Sequence, residues 1–320
     1  MPRIDVSIAG ELNLDLILYG LPEQLVPERE LLAEGMMLTL GSSSGIVAHN
    51  LAALGAKVGF SSRIGDDALG KIALERLRAA GVDVSRVRKS RGASSGLTVI
   101  LPHAKWRNIL TYPGTIFELR FEDLDLEYLA SARHFHLCSM FLQRGLRPRV
   151  AELFREMKAA GLSTSLDTND DPDDHWKGVS KVLKYVDVFL PNEREACKIT
   201  RTDDVEKAVK LLADLVPTLV VKRGKRGAIA RQAGKEFVRR GVAVNAIDPV
   251  GAGDSFDAGF IYQYVRGEDI ETCLRYGNLA GAFSTTKPGG TEAFRDGKAM
   301  KEFFGSQKLS PQRTRRGNRA

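Results

Sequence analysis

The sequence predicts a single α/β domain with a parallel sheet covered on both faces and a smaller second β-sheet. From about residue 130, apolar runs without strict alternation, such as FHLCSM (135–140) and LSTSLD (162–167), are separated by amphipathic segments such as 148–161. Strands covered on both faces are typically continuous apolar runs, whereas strands with one polar face alternate. The segment LNLDLILYG (12–20) alternates, which favours a separate, half-covered sheet.

The elements of the N-terminal half follow from apolar spacing. IDVSIAG (4–10) is an apolar run that ends at glycine, and it predicts a buried strand. Helical spacing over 47–55 and 68–80 predicts two helices, and each stops at a glycine typical of a helix C-terminus. Two β-rich runs between 94 and 115 flank a polar turn and predict a hairpin. We expect the smaller sheet to be built from residues 11–20, 35–41 and 96–114.

The C-terminal half continues as strand, helix, strand. VDVFLPN (186–192) and PTLVVKRG (217–224) predict strands, the first followed by a helix and the second by a short hairpin. Two helices are expected over 253–266 and 270–287. Because no repeat and no long linker divides the chain, we expect one domain over residues 1–305.

The basic charge of the chain lies mostly in its last fifteen residues. The 320 residues carry a formal net charge of +7. The segment SQKLSPQRTRRGNRA (306–320) contains five basic and no acidic residues, which leaves +2 on residues 1–305. We expect this tail to be disordered, and we expect no specific nucleic-acid partner because the basic balance does not belong to the folded domain.

The composition also predicts where in the cell the protein is located and argues against a membrane-spanning chain. A chain that is 43% hydrophobic and 27% charged is typical of a folded globular protein. No window approaches the ~18 consecutive apolar residues of a membrane span, and the first residues lack the pattern of a signal peptide. The three cysteines are far apart and form no CxxC motif. We therefore expect a cytoplasmic protein with no membrane partner.

The most informative stretch is DPVGAGDSFDAGFIYQYVR (248–266). After Gly253 the apolar residues fall on one face of a helix, so Gly251 to Gly253 lie on the loop that enters it. Free N–H groups at a helix start favour a bound anion, and glycines allow its close approach. Asp254 would repel that anion, but it can accept a proton from a hydroxyl that attacks phosphorus. The alternative is that Asp254 merely caps the helix.

Four segments together resemble the ribokinase, or PfkB, family of carbohydrate kinases. DPVGAGDSFDAGF is similar to the C-terminal signature of the family, and GSSSGIVAHNLAALGAKVGFSSRIGDDALG (41–70) to its N-terminal signature. PNERE (191–195) resembles the Asn-x-x-Glu magnesium motif, and VVKRGKRGA (220–228) the nucleotide loop. The resemblance covers about residues 4–305. It implies a Rossmann-like three-layer sandwich (ribokinase-like) with a β-sheet lid, and ATP-dependent phosphorylation of a hydroxymethyl group on a sugar or sugar derivative.

The resemblance implies roles for the residues that match these motifs. Asp254 is the implied catalytic base, and the N–H groups of Gly251, Ala252 and Gly253 form the anion hole. Mg²⁺ is organised largely through water by two residues of the PNERE motif, Asn192 and Glu195. ATP is contacted by the nucleotide loop and the following helix, through Lys222, Gly224, Gly227 and Asn278.

The substrate side departs from the family pattern. The resemblance implies that Asn13 and Asp15 hold sugar hydroxyls on the polar face of the lid strand, with Arg107 approaching from the hairpin. Many relatives begin the N-terminal signature with Gly-Gly and carry an asparagine five residues after its first glycine, where this chain has Ser42 and Ile46. The lost asparagine disfavours ribose. The remaining expected contacts are Gly41, Ser42, Ser43 and, at a position that is acidic in some relatives, Gln143.

The resemblance leaves some properties open. Asp248 falls where many relatives bind a monovalent cation, so K⁺ is an expected activator. A homodimer formed through the lid sheets is the expected assembly. The alternatives to a sugar kinase are a nucleoside kinase of the same fold and a catalytically inert regulatory relative.

Overall fold

The computed structural model describes residues 4–103 and 106–306, so the predicted tail lies outside the described residues apart from Ser306. The strands are β1 (Ile4–Ala9), β2 (Asn13–Tyr19), β3 (Gly35–Leu40), β4 (Val58–Gly65), β5 (Asp83–Ser90), β6 (Gly96–Pro102), β7 (Arg107–Tyr112), β8 (Ala132–Cys138), β9 (Ser163–Asp167), β10 (Val188–Phe189), β11 (Thr218–Lys222), β12 (Ala228–Gln232) and β13 (Lys235–Arg239). The α-helices are α1 (Ser43–Ala53), α2 (Ala68–Ala79), α3 (Leu126–Ala130), α4 (Val150–Ala159), α5 (Val179–Leu183), α6 (Glu193–Thr200), α7 (Val205–Ala213), α8 (Ala252–Tyr264), α9 (Ile270–Ser284) and α10 (Gly297–Ser306).

A large twisted sheet forms the centre of the molecule. Its strand order is β13-β12-β11-β10-β9-β8-β1-β4-β5, and every neighbouring pair from β11 to β5 is parallel. The hairpin of β12 and β13 closes one edge in antiparallel pairing. The predicted parallel sheet is therefore confirmed.

Two hydrophobic cores cover the two faces of this sheet. One face packs on α3, α4, α5, α6 and α7 through residues such as Phe154 and Leu212. The other packs on α1, α2, α8 and α9 through residues such as Leu51 and Phe260. In β1, Val6 and Ile8 belong to the second core and Ala9 to the first. This double burial explains why the strands do not alternate in polarity, and it confirms the three-layer architecture.

The second sheet confirms the predicted lid. Its order is β3-β2-β6-β7, in which β2 pairs parallel with β6 and the other two pairs are antiparallel. Leu14 faces a buried core, whereas Asn13 and Asp15 lie on the opposite face of β2. The alternation read in the sequence therefore separates a packed face from a polar one.

Sequence patterns missed β4 and β5. Six of the eight residues of β5, DVSRVRKS, are polar or charged, because it is an edge strand whose one neighbour among the described strands is β4. The strand predicted over 186–192 is shorter than expected, since only Val188–Phe189 has strand geometry. Among the described residues, no helix is both long and apolar enough to span a bilayer.

Candidate active site

The site lies where neighbouring parallel strands end. β9 ends at Asp167, β11 ends at Lys222, and Asn192 follows β10 between them. A parallel bridge pairs Asn192 with Lys222 directly. Because parallel strands of one sheet end at the same edge, these three residues meet there, which is where α/β proteins place their ligands.

The glycine-rich loop brings the start of α8 to the same edge. Gly251 precedes the helix with a φ of 70°, and a Cβ there would lie 2.6 Å from the Cα of Gly290, so only glycine fits. The N–H of Ala252 donates to the carbonyl of Pro249 at 3.2 Å. Within the described residues, no acceptor is recorded for the N–H groups of Gly251 and Gly253, and Gly253 is exposed. The helix start therefore offers open donors to an anion.

Asp254 stands in the first turn of α8, half-buried beside these donors. Burial and the nearby Asp167 carboxylate raise its pKa, while the Lys222 ammonium and a hydrogen bond from Ser43 act in the opposite direction. A raised pKa makes a carboxylate a stronger proton acceptor. Asp254 is therefore suited chemically to act as a base.

A buried charge cluster, which we call the Lys222 cluster, lies against this helix start and consists of Lys222, Asp167 and Asp257. The Nζ of Lys222 is 2.6 Å from Oδ2 of Asp167, and 3.1 and 3.2 Å from the two carboxyl oxygens of Asp257. All three side chains are at most 10% exposed. Asp257 was missed by the sequence analysis, although it follows Asp254 by three residues and thus shares its helix face. Asp167 directly follows a buried run, which is the signal that could have singled it out.

The predicted magnesium motif forms a capping box at the start of α6. The N–H of Glu195 donates to Asn192 Oδ1, and the N–H of Asn192 donates to Glu195 Oε2, each at 2.9 Å. Burial, with Asp167 adding to it, raises the pKa of Glu195 to about 8. The structure thus brings both residues to the edge that carries the Lys222 cluster.

The predicted nucleotide loop is a tight turn after β11. Gly224 has a φ of 56° and Gly227 a φ of 91°, and a Cβ on Gly227 would lie 2.1 Å from the carbonyl oxygen of Arg239. The side-chain amide of Asn278 donates to the carbonyls of Arg239 and Arg240 at 3.3 and 3.2 Å. Asn278 is therefore placed against the end of β13, next to this turn.

The lid supplies a polar face. Asn13 Nδ2 donates to Asp15 Oδ1 at 3.4 Å and to Thr98 Oγ1 at 3.3 Å. Burial raises the pKa of Asp15 to about 7, with Asp254 and Asp248 adding to the shift and Asn13 and Arg107 opposing it. The Asp254 carboxylate is close enough to raise the pKa of Asp15, so the two carboxyl groups face one site. A hydroxyl compound held by Asp15 would thus lie near Asp254.

The start of α1 completes the lid side. A Cβ on Gly41 would lie 2.0 Å from Asp15 Oδ1, so this glycine makes room for the carboxylate. Ser42, the residue that precedes α1, has a φ of 58° and accepts a hydrogen bond from the N–H of Gly45 at 2.8 Å. Ser43 contacts Asn169, which follows the end of β9 by two residues. Arg107 is exposed at the start of β7.

Gln143 lies in a buried polar cluster that sequence reasoning missed. Its Nε2 donates to the carbonyl of Cys138 at 2.6 Å and to Glu11 Oε2 at 3.3 Å. Glu11 also accepts from Ser44 Oγ at 2.7 Å, and burial raises the pKa of Glu11 to about 7. Glu11 follows the end of β1 by two residues, a position that could have singled it out.

Asp248 is buried at the junction between lid and main domain. Its carboxylate accepts hydrogen bonds from the N–H groups of Val250 and Gly289, both at 2.9 Å, and from the hydroxyl of Tyr19 at 2.8 Å. Tyr19 ends β2, so this bond fastens the lid to the loop before α8. Asp248 thus acts at least as an anchor of the lid.

The second sheet and the glycine-lined start of α8 thus meet at the strand-end edge of the main sheet, where α/β proteins bind small ligands. The family model described as "pfkB family carbohydrate kinase" matches residues 5–296. The chain therefore belongs to the pfkB family of carbohydrate kinases, which confirms the resemblance seen in the motifs.

Relatives of known name agree with this assignment. The chain is 30% identical over 294 residues to an ATP-dependent ribose-1-phosphate kinase of Halopiger xanaduensis, covering 91% of this chain and 95% of the relative. It is 28% identical over 248 residues to an uncharacterized sugar kinase of Archaeoglobus fulgidus, covering 76% and 96%. The crystal structure of a probable sugar kinase from Rhizobium etli superposes with a TM-score of 0.85 at 23% identity, covering 97% of this chain and all of that one. This last likeness shows the fold.

Proposed function

We propose that the protein transfers the γ-phosphoryl group of ATP to a hydroxymethyl group of a sugar or sugar derivative, with Asp254 as the base. The observation that carries this proposal is that Asp254 stands beside the open donors of α8 and close enough to Asp15, on the polar lid face, to raise its pKa. One side of the carboxylate suits a phosphate, and the other suits a polyol, since Asp15 can accept bonds from adjacent hydroxyls.

The chemical step follows from this arrangement. Asp254 accepts the hydroxyl proton while the sugar oxygen forms a bond to the γ-phosphorus. The bond from that phosphorus to the β–γ bridging oxygen breaks, and ADP leaves with the electron pair. The N–H groups of Gly251 and Gly253 are the donors that would stabilise charge on the phosphoryl oxygens.

The donor set of this chain fits Mg²⁺ held mainly by phosphates and water. Groups of three or more acidic, His or Cys side chains able to hold a metal are absent from residues 4–103 and 106–306. Asn192 and Glu195 offer an amide oxygen and a carboxylate, which are hard oxygen donors. When bound, the ion neutralises phosphate charge.

The names of the relatives guide the choice of substrate. Besides the ribose-1-phosphate kinase, they include a ribokinase of Haemophilus influenzae and a 2-dehydro-3-deoxygluconokinase of Bacillus subtilis. These names favour a sugar, a sugar acid or a sugar phosphate as substrate and do not favour the nucleoside alternative.

The experiment is ADP release from ATP and Mg²⁺ across aldoses, ketoses, sugar acids, sugar phosphates and nucleosides. Asp254→Asn should lose roughly 10²-fold or more of kcat on the accepted compound. Asp203→Asn, which removes an exposed carboxyl, is the matched control. Equal activity of Asp254→Asn and wild type would refute the mechanism, and running the assay with and without K⁺ tests the cation expected near Asp248.

The proposed assembly and location have supporting features of their own. β7 is an edge strand of the lid, and its Ile109, Leu110 and Tyr112 are 54%, 55% and 58% exposed, which supports a homodimer through the lid. Leu110→Lys should then lower the molar mass measured by light scattering to that of one chain. The three cysteines are free, and Cys138 and Cys273 are buried, which supports the proposed reducing, cytoplasmic location.

A further inference from the structure

The ammonium group of Lys222 makes one short and two longer hydrogen bonds. Its Nζ is 2.6 Å from Asp167 Oδ2 and 3.1 and 3.2 Å from the two carboxyl oxygens of Asp257, its side-chain partners among the described residues. An ammonium carries three N–H donors, and one N–H shared between the two oxygens of Asp257 accounts for both longer contacts. The next feature in range is the start of α8, since a Cβ built on Gly253 would lie 3.7 Å from Lys222 Nζ. With that N–H shared, the third N–H of Lys222 faces the open helix start.

Burial and neighbouring charges shift the pKa values of the Lys222 cluster. Burial opposes the charged form of Lys222, but Asp167, Asp257 and Glu195 outweigh it and raise the pKa of the ammonium well above its usual range. Burial raises the pKa of Asp257 well above the ordinary range of a carboxyl, while the Lys222 ammonium lowers it. The ammonium therefore keeps its charge at the edge of the site, beside the helix start where an additional anion can bind.

The side chain of Lys222 differs from its neighbours on the nucleotide loop. Lys225 and Arg226 are exposed, whereas Lys222 is 9% exposed and points into the sheet edge. A residue that only formed a wall for the nucleotide would not need a buried charge, and burying an unpaired lysine is costly. The two carboxyl groups hold the ammonium in place, which is the arrangement required of a preorganised electrostatic group.

We propose that Lys222 is a catalytic residue whose ammonium contacts the transferring phosphoryl group at the start of α8, with Asp167 and Asp257 as the residues that position it. The inference rests on the proposed function, because it places the γ-phosphate at Gly251–Gly253. Negative charge is spread over the equatorial oxygens of the phosphoryl group during transfer. Lys222 would stabilise that charge and would neither donate nor accept a proton.

The test compares binding of two nucleotides that differ in the γ-phosphate. Isothermal titration calorimetry measures Kd for MgADP and for the Mg²⁺ complex of the ATP analogue with an imido β–γ bridge. Lys222→Met should weaken binding of the analogue at least tenfold and binding of MgADP less than threefold. A tenfold change in Kd is what the loss of one hydrogen bond between charged partners is expected to cause. Lys235→Met removes an exposed ammonium of the same sheet and should change neither Kd.

A second pair of variants covers a failure to fold, because Lys222→Met leaves Asp167 without its cation. Lys222→Met combined with Asp167→Asn removes both charges, and its reference is Asp167→Asn alone. The same loss specific to the analogue supports the proposal. Equal weakening of both nucleotides, or no weakening of either, would overturn it while leaving the proposed function intact. A wild type that binds neither nucleotide would overturn both.

Discussion

Gly41→Ala should displace the carboxylate of Asp15 from the site. A Cβ on Gly41 would lie 2.0 Å from Asp15 Oδ1 and 2.4 Å from its Cγ, whereas Cβ contacts below 3.0 Å essentially never occur. The carboxylate oxygen must therefore move away by about 1.0 Å, from 2.0 Å to the limit of 3.0 Å. The φ of Gly41 lies outside the left-handed region, so alanine causes no strain in this dihedral angle, although its Cβ would also lie 2.9 Å from the backbone N of Asp15.

Displacements of this size are large on the scale of catalysis. A misplacement of about 1 Å can cost roughly 10²-fold in rate. We expect kcat/KM for the sugar to fall by about that factor, while the KM for ATP stays unchanged because the nucleotide loop is not touched. The assay is ADP release with the sugar identified by the substrate panel, together with a thermal melt to verify folding.

Two comparisons decide whether the effect passes through Asp15. Gly297→Ala places a Cβ where no atom lies within 4 Å, and it should leave kinetics unchanged. In an Asp15→Ala background the carboxylate is gone and only the 2.9 Å contact with the backbone N remains, so adding Gly41→Ala should cost much less than it does in the wild type. An equal loss from Gly41→Ala in both backgrounds would refute the reasoning, as would wild-type kcat/KM in the single variant.

Glu11 and Tyr19 carry the remaining predictions. Burial raises the pKa of Glu11 from 4.5 to about 7, so the folded protein binds this proton more tightly than the unfolded chain. Protonated Glu11 contributes fully to the stability of the fold below about pH 4.5, and this contribution is lost as the pH rises through 7. In urea unfolding, the free energy of unfolding should therefore fall less between pH 5 and 8 in Glu11→Gln than in the wild type. An identical fall in both proteins would contradict this. Tyr19→Phe removes the 2.8 Å hydrogen bond to Asp248 that fastens the lid to the main domain. The variant should raise the KM for the sugar, leave the KM for ATP unchanged, and lower the free energy of unfolding by about 1 kcal/mol. Kinetics that match the wild type would contradict a role of this bond in holding the lid.

Most of the fold could be predicted because the signals are local. The helix over 68–80 and the hairpin between 94 and 115 appear as α2 and the β6–β7 pair, since apolar spacing and turn chemistry act within a few residues. β5 escaped because its charged residues reflect its place at the sheet edge. Strand order is a property of the assembled sheet, and the sequence of one strand does not specify which strand will lie beside it.

The residues of the site likewise divide into those that local patterns predicted and those that only folding brought together. The GAGD loop could be located because a glycine turn followed by a helix is a contiguous pattern, and the Asn192–Glu195 box likewise closes over three residues. The Lys222 cluster could not be found, because its three members stand at positions 167, 222 and 257 on two strands and a helix.

The sequence alone therefore determined the family, most of the elements and the glycine-rich loop that precedes α8. Only the tertiary structure decided that Lys222 turns inward between two carboxyl groups and that Asp248 ties Tyr19 of the lid to the main domain. The physical reason is that backbone motifs are set by neighbouring residues. The direction of a side chain and the cost of burying its charge depend instead on groups that folding brings from distant parts of the chain.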